Sequence, residues 1–177
     1  ITVNPIPTVV DPADQLLCAG TNTTAVNFTG AVAGTTFDWT NNQTSIGLAA
    51  NGIGNIGSFV GINAGVVAVV STVTVTPTAS SCIGAPQTFT YTVNPNLVAG
   101  ADNSASICNS PGSTIDLDGL LAGNNTTGVW AETTGSGQFN TGTGVFTGAG
   151  LVAANYTFTY TVTGMAPCLN DVANFTV

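Results

Sequence analysis

The sequence predicts an all-β protein built as two tandem β-sandwich domains, and three observations carry that expectation. Several segments alternate apolar residues with Thr at a period of two. Clusters of Gly, Asn, Ser and Pro lie between them and break any helix. The same order of strand, cysteine and aromatic features then occurs twice along the 177 residues.

The first unit opens at Val3-Asn4-Pro5, and the same tripeptide returns as Val93-Asn94-Pro95, marking a seam. Domains are therefore expected over residues 1–94 and 95–177. Near each start, Leu16-Leu17-Cys18-Ala19-Gly20 is matched by Ser106-Ile107-Cys108-Asn109-Ser110. Ala25-Val26-Asn27-Phe28 is matched by Thr114-Ile115-Asp116-Leu117. One Trp follows in each unit, Trp39 within Phe37-Asp38-Trp39-Thr40 and Trp130 within Val129-Trp130-Ala131. Both indoles are expected in the core.

Val67-Ala68-Val69-Val70 is apolar at both parities, which predicts burial on both sides or a central place in the sheet. Thr72 to Pro77, Cys82 and Thr88 to Val93 then form a strand, a cysteine-bearing loop and a strand. Phe158 to Val162, Cys168 and Ala173 to Val177 repeat the pattern. In the Thr88 to Val93 segment, Phe89, Tyr91 and Val93 share one face and three Thr share the other. Sandwiches of the immunoglobulin kind need about 100 residues or somewhat fewer, so two fit this length.

Four cysteines allow three pairings. If each repeat is autonomous, Cys18 pairs with Cys82 and Cys108 with Cys168, closing loops of nearly equal length. A Cys82–Cys108 bond would instead staple neighbouring units and is expected to leave Cys18 and Cys168 far apart. Each intradomain bridge would contribute on the order of 4 kcal/mol in the chain-entropy model. The order Cys, Trp, Cys fits an aromatic packed near a sandwich disulfide. Zinc is disfavoured, because His is absent and no Cys-x-x-Cys spacing occurs. Disulfides place the chain in an oxidising compartment, outside the cell or in a periplasm.

The charge inventory excludes several functions. There is no Lys, Arg or His, and eight acids give a net charge of -8. Nucleic acid is therefore not an expected partner, since neutralising phosphates requires cationic side chains. No apolar run approaches the ~20 residues of a spanning helix, so the chain is not expected to cross a membrane as one. The start, Ile1-Thr2-Val3-Asn4-Pro5, does not resemble a signal peptide, and the chain is expected to be part of something longer.

Catalysis by a nucleophile and base lacks its usual His or Lys, and the chain is expected not to be an enzyme. Asp116 and Asp118 lie two apart and could share a face as a carboxylate pair or a Ca²⁺ site, but an acid pair for glycoside hydrolysis usually comes from separate strands lining a cleft. Asp11, Asp14 and Asp102, near the domain starts, are the other candidates for Ca²⁺, with solvated loop acids as the plainer account. No cofactor or resident metal is otherwise expected. Regular Thr faces invite comparison with ice-templating sheets, although solvent-facing Thr on a twisted sheet explains them. Triplets such as Asn22-Thr23-Thr24 and Asn155-Tyr156-Thr157 are acceptors where N-glycosylation operates.

The Thr-Phe-Thr-Tyr-Thr-Val strands, the Val-Asn-Pro seam, Cys82-Ile83-Gly84-Ala85-Pro86, Thr127-Gly128-Val129-Trp130 and Gly137-Gln138-Phe139-Asn140 together resemble PKD-like and Ig-like repeats. Such repeats occur in giant surface proteins of Bacteroidetes, including gliding-motility adhesins exported by type IX secretion. The resemblance covers the whole chain and is specific for repeat type only. It implies a structural or adhesive stalk at the cell surface, whose partners are neighbouring repeats, surface polysaccharide or other surface proteins. Self-assembly into an extracellular filament and carbohydrate binding through exposed aromatics are the alternatives. The first is motivated by strand edges that lack protective Lys.

Overall fold

The computed structural model describes residues 3–124 and 127–177. Ile1 and Thr2, the first residues of the first expected repeat, lie outside the described residues. The chain divides into unit 1, Ile1–Asn96 with Ala166–Cys168, and unit 2, Leu97–Met165 with Leu169–Val177. Both units are β-sandwiches, and no α-helix occurs among the described residues.

Unit 1 contains β1 (Gln15–Cys18), β2 (Thr36–Asn41), β3 (Asn51–Ile53), β4 (Val69–Ala79), β5 (Cys82–Ile83) and β6 (Gln87–Asn94). Its main sheet runs β1-β6-β4-β2-β3, with β5 paired to β4. Every neighbouring pair is antiparallel except β1 and β6, which run parallel with Leu17 beside Val93 and Cys18 beside Asn94. A second layer is held by two antiparallel bridges, Asn22 with Val60 and Val26 with Ile56. In immunoglobulin terms the sheet is the C-F-G layer, and the bridges join the B and E positions.

Period-two patterning sets the burial. In β4, Val73 and Val75 face inward and are fully buried, while Thr72, Thr74 and Thr76 are half-buried on the other face. In β6, Phe89, Tyr91 and Val93 do the same. Phe28, Phe37, Trp39 and Ile46 complete the core. The Val67–Val70 stretch leads into β4, the central strand of the sheet, as one of the two expectations had it, but it is not buried on both sides, since Val67 and Val70 are 67% and 53% exposed. An antiparallel sheet in a two-layer sandwich has one solvated face, so an apolar residue at each parity leaves one set outside. At the end of β2, buried Asn41 bonds the carbonyls of Leu48 and Ala49, at 3.1 and 3.2 Å, and accepts from the Ser71 hydroxyl. A polar side chain is tolerated there because its partners are supplied.

Unit 2 contains β7 (Asn103–Ser104), β8 (Thr114–Asp116), β9 (Val129–Glu132), β10 (Phe139–Asn140), β11 (Val145–Thr147), β12 (Thr157–Val162) and β13 (Asp171–Thr176). One sheet runs β7-β13-β12-β9 and the other β10-β11-β8. These are the C-F-G and D-E-B layers of an immunoglobulin-like sandwich. Again the strand nearest the start of the unit, β7, pairs parallel to the last, β13. Phe146, Phe158, Phe175, Trp130 and Leu117 fill the space between the layers.

The parallel pairing overturns the expected disulfides. Cys18 is bonded to Cys168, at a Cα–Cα distance of 5.5 Å, while Cys82 and Cys108 are free thiols. Because β1 runs parallel to β6, Cys18 ends beside Asn94, at the last residue of β6. Cys82 lies before the first residue of that eight-residue strand. A strand of that length separates the two by roughly 25 Å at about 3.3 Å per residue, well beyond the ~7 Å Cα limit for a disulfide. The same geometry parts Cys108, which follows β7, from Cys168, which precedes β13.

Candidate functional site at the cysteine-bearing loops

The environment of Cys18 begins with Leu17, which is buried against Gly61, where a Cβ would stand 2.7 Å from the Leu17 Cδ1. A side chain at that position would push the leucine out, so glycine seats it. Beyond Cys18 the chain turns sharply: the Thr21 amide and hydroxyl both donate to the Cys18 carbonyl, at 3.1 and 2.7 Å. The Ala19 amide donates to the Asn94 carbonyl and the Gly20 amide to the Gly61 carbonyl. Asn94, 4% exposed, donates from Nδ2 to the Ala166 carbonyl at 2.6 Å. That bond holds the segment Ala166–Cys168, whose Ala166-Pro167 peptide is cis, beside the disulfide.

Unit 2 reproduces the seat of Cys18 around Cys108. Ile107 packs against Gly148, where a Cβ would stand 2.5 Å from the Ile107 Cδ1, as Leu17 packs against Gly61. Traced through the sheet from the tryptophans, Trp39 to Val75 to Gln87 and Trp130 to Tyr160 to Ala173, Phe175 stands where Phe89 does in unit 1. Asn103 lies beside Phe175 and Gln15 beside Tyr91, two residues past Phe89, so Ile107 falls at the Leu17 position with no residue inserted. Cys108 is exposed and borders an open cleft of about 580 Å³ whose walls include Ser106, Asn109, Leu151, Tyr156 and Val177.

Cys82 sits in a tight hairpin, with Ala79 paired to Cys82 and both central residues, Ser80 and Ser81, at positive φ of 48° and 65°. That is the two-residue turn whose twist suits a hairpin, formed here without the usual glycine. Cys82 is half-buried and is followed by Ile83, 71% exposed. Cys168 lies in the corresponding loop before the last strand and is followed by Leu169, 85% exposed.

The tryptophans are buried, Trp39 at 7% and Trp130 at 5% exposure. The Trp39 Nε1–H donates to the Gly54 carbonyl at 3.1 Å, and that of Trp130 to the Asp118 Oδ1 at 2.6 Å. Neither indole adjoins a bridge between the layers of its own sandwich, since no such bridge forms. Aromatic neighbours occupy that space: Trp130 lies 5.0 Å from both the Tyr160 and Phe175 rings.

The acids singled out by sequence are tied to backbone. Asp14 Oδ1 accepts the Thr90 amide at 2.6 Å, and Asp102 Oδ1 accepts the Asn174 amide at 2.7 Å. Each thus anchors the start of a parallel strand onto the last strand of its unit, a role the sequence did not suggest. Each stands one residue before its strand, Asp14 before β1 and Asp102 before β7, four and six residues ahead of the cysteine that follows. Asp11 borders the same shallow cleft of unit 1 as Asp14. Asp116 Oδ1 accepts the Asp118 amide at 3.0 Å while Asp118 is engaged by Trp130. Among the described residues no three His, Cys, Asp or Glu gather as a metal-binding group. Among the described residues no helix is long and apolar enough to cross a membrane.

No family model matches the chain, and neither does any curated protein. Among solved structures, it is similar to mouse cadherin-23 EC22-24, with 13% identity over 97% of this chain and 63% of that one, at a TM-score of 0.39. It is also similar to SGBP-B of the Bacteroides ovatus mixed-linkage glucan utilization locus, solved with a mixed-linkage heptasaccharide. There the identity is 15% over 97% of this chain and 48% of that one, at a TM-score of 0.36. The chain therefore spans less than two thirds of the first and about half of the second.

Proposed function

We propose that this chain is a structural and adhesive repeat segment of a large extracellular surface protein, serving as a stalk or spacer rather than as an enzyme. The observation that carries the reading is the Cys18–Cys168 bond, which closes 150 residues of chain running from one immunoglobulin-like repeat into the next. With both cysteines in unit 1, tension applied at the two ends of the chain passes through the disulfide, which suits a part that bears load. In the chain-entropy model closing so long a loop is worth about 5 kcal/mol.

The disulfide supports an oxidising, extracellular setting. The resemblance of the Thr-rich strands and Val-Asn-Pro seam to Bacteroidetes adhesin repeats supports attachment of the parent protein at the outer membrane, type IX export and a part in adhesion or gliding. Carbohydrate binding by Trp39 or Trp130 is disfavoured by their burial, since a stacking platform needs an exposed indole face. Calcium is not required by this reading, because Asp14 and Asp102 are already engaged with backbone amides.

Electron micrographs of the native surface assembly test the proposal. Thin rods beaded at the spacing of one sandwich are expected when this segment is labelled with an antibody. A compact globular particle carrying the label would overturn it.

A further inference from the structure

The four cysteines are two copies of one pair. Cys18 and Cys108 each follow an aliphatic residue seated on a glycine, buried Leu17 on Gly61 and half-buried Ile107 on Gly148. Cys82 and Cys168 each lie in the loop before the last strand of a repeat and precede an exposed aliphatic residue. The bond that forms joins the first kind of cysteine of one sequence repeat to the second kind of the sequence repeat that follows, Cys18 to Cys168, both within unit 1. The cysteines left over are one of each kind, Cys108 and Cys82.

We propose that Cys108 and Cys82 are the two open halves of this same staple, and that the Cys108 end of one repeat pair bonds the Cys82 loop of a second copy placed after it, head to tail. The partner is identified by what occupies the matching place. Beside Cys18, the segment Ala166–Cys168 is held by the Asn94 amide. Beside Cys108, the corresponding place is the open cleft bordered by Asn109, Leu151 and Tyr156. Such a heterologous contact does not close on itself, so copies extend as an open series. Two thiols lose two protons and two electrons as the S–S bond forms. A disulfide oxidant such as oxidised glutathione accepts both and leaves as two glutathione thiols.

This inference deepens the stalk reading and rests on it for its biological setting, but its test is independent of micrographs. The full chain is prepared as Cys82→Ser and as Cys108→Ser, and each is incubated alone and mixed in a glutathione redox buffer. Each variant alone should stay monomeric on a non-reducing gel, and the mixture should give a dimer. Chymotryptic mapping should locate one Cys108–Cys82 bond in it, trypsin being useless without Lys or Arg.

A tandem fusion in which Val177 runs directly into Asn4-Pro5 of a second copy reproduces the Val93-Asn94-Pro95 seam and raises the effective concentration. It should hold a bond between Cys108 of the first copy and Cys82 of the second, with two free thiols remaining. Four free thiols in the fusion, a Cys82–Cys108 bond within one copy, or dimers of either single variant at the yield of the mixture would each overturn the proposal. A fusion that fails to bond while labelled rods are still seen would remove the staple and leave the stalk.

Discussion

In unit 1 the core tryptophan gives its indole N–H to a backbone carbonyl, that of Gly54, whereas in unit 2 Trp130 gives it to the Asp118 carboxylate. Tyr91 is buried in unit 1 with no hydrogen-bond partner for its hydroxyl, while the hydroxyl of buried Tyr160 in unit 2 accepts the Gly128 amide. Cys18 is bonded and its counterpart Cys108 is free. The two units therefore share a layout but not the means of satisfying it. Strand order and the inward aromatic face are repeated, whereas polar partners and covalent closure are solved locally.

The disulfide offers the sharpest way to break this comparison. Cys18→Ser or Cys168→Ser should lower stability by up to about 5 kcal/mol in the chain-entropy model, read as a shifted urea midpoint. Cys82→Ser and Cys108→Ser should leave the midpoint within about 0.5 kcal/mol. Equal losses from all four would show that the bonded and free cysteines do not differ as described.

Next in size is the core itself. Phe89→Ala and Phe158→Ala remove rings that are 2% and 1% exposed, one from each unit, and each should cost about 3 to 5 kcal/mol. Tryptophan fluorescence of Trp39→Phe and Trp130→Phe backgrounds reports the units separately. Phe89→Ala should move the transition reported by Trp39, and Phe158→Ala the one reported by Trp130.

Asp118→Ala leaves the buried Trp130 N–H without its acceptor and should cost about 1 to 3 kcal/mol. Unit 1 has no equivalent weak point, since its acceptor is main chain.

The smallest effect at neutral pH belongs to Tyr91. Burial pushes its hydroxyl up from the ordinary 10.0 to about 12. The folded protein thus holds that proton more tightly than the unfolded chain, so stability is lost as pH rises from about 10 through about 12. Tyr91→Phe should abolish that alkaline loss, which amounts to about 2 to 3 kcal/mol at its limit. At neutral pH it should be neutral or stabilising by about 1 kcal/mol, because an unpartnered buried hydroxyl is removed. Destabilisation at pH 7 would indicate a hydrogen bond to this hydroxyl.

Much of the fold was legible before any coordinates. Phe89, Tyr91 and Val93 alternate with Thr because one face of a strand is buried and the other is wet, and that alternation survives any register. The repeat located equivalent cysteines and tryptophans for the same reason: each slot has a packing requirement of its own. Asp14 and Asp102 were legible as acids near the domain starts but not as anchors for a parallel strand, because an amide partner 76 or 72 residues away leaves no local trace.

What the sequence determined by itself was the class of fold, the doubling of the unit and the exclusion of chemistry that needs a cation. What only the tertiary structure decided was which cysteines meet. Side-chain alternation is a local property with a period of two, readable residue by residue. Strand direction is not local: β1 and β7 could have run antiparallel to the last strand of their units with the same alternation. Running parallel, they carry Cys18 and Cys108 to the far end of the sheet from Cys82 and Cys168 of their own sequence repeats, and the bond that forms, Cys18–Cys168, lies within unit 1, to which Ala166–Cys168 belongs.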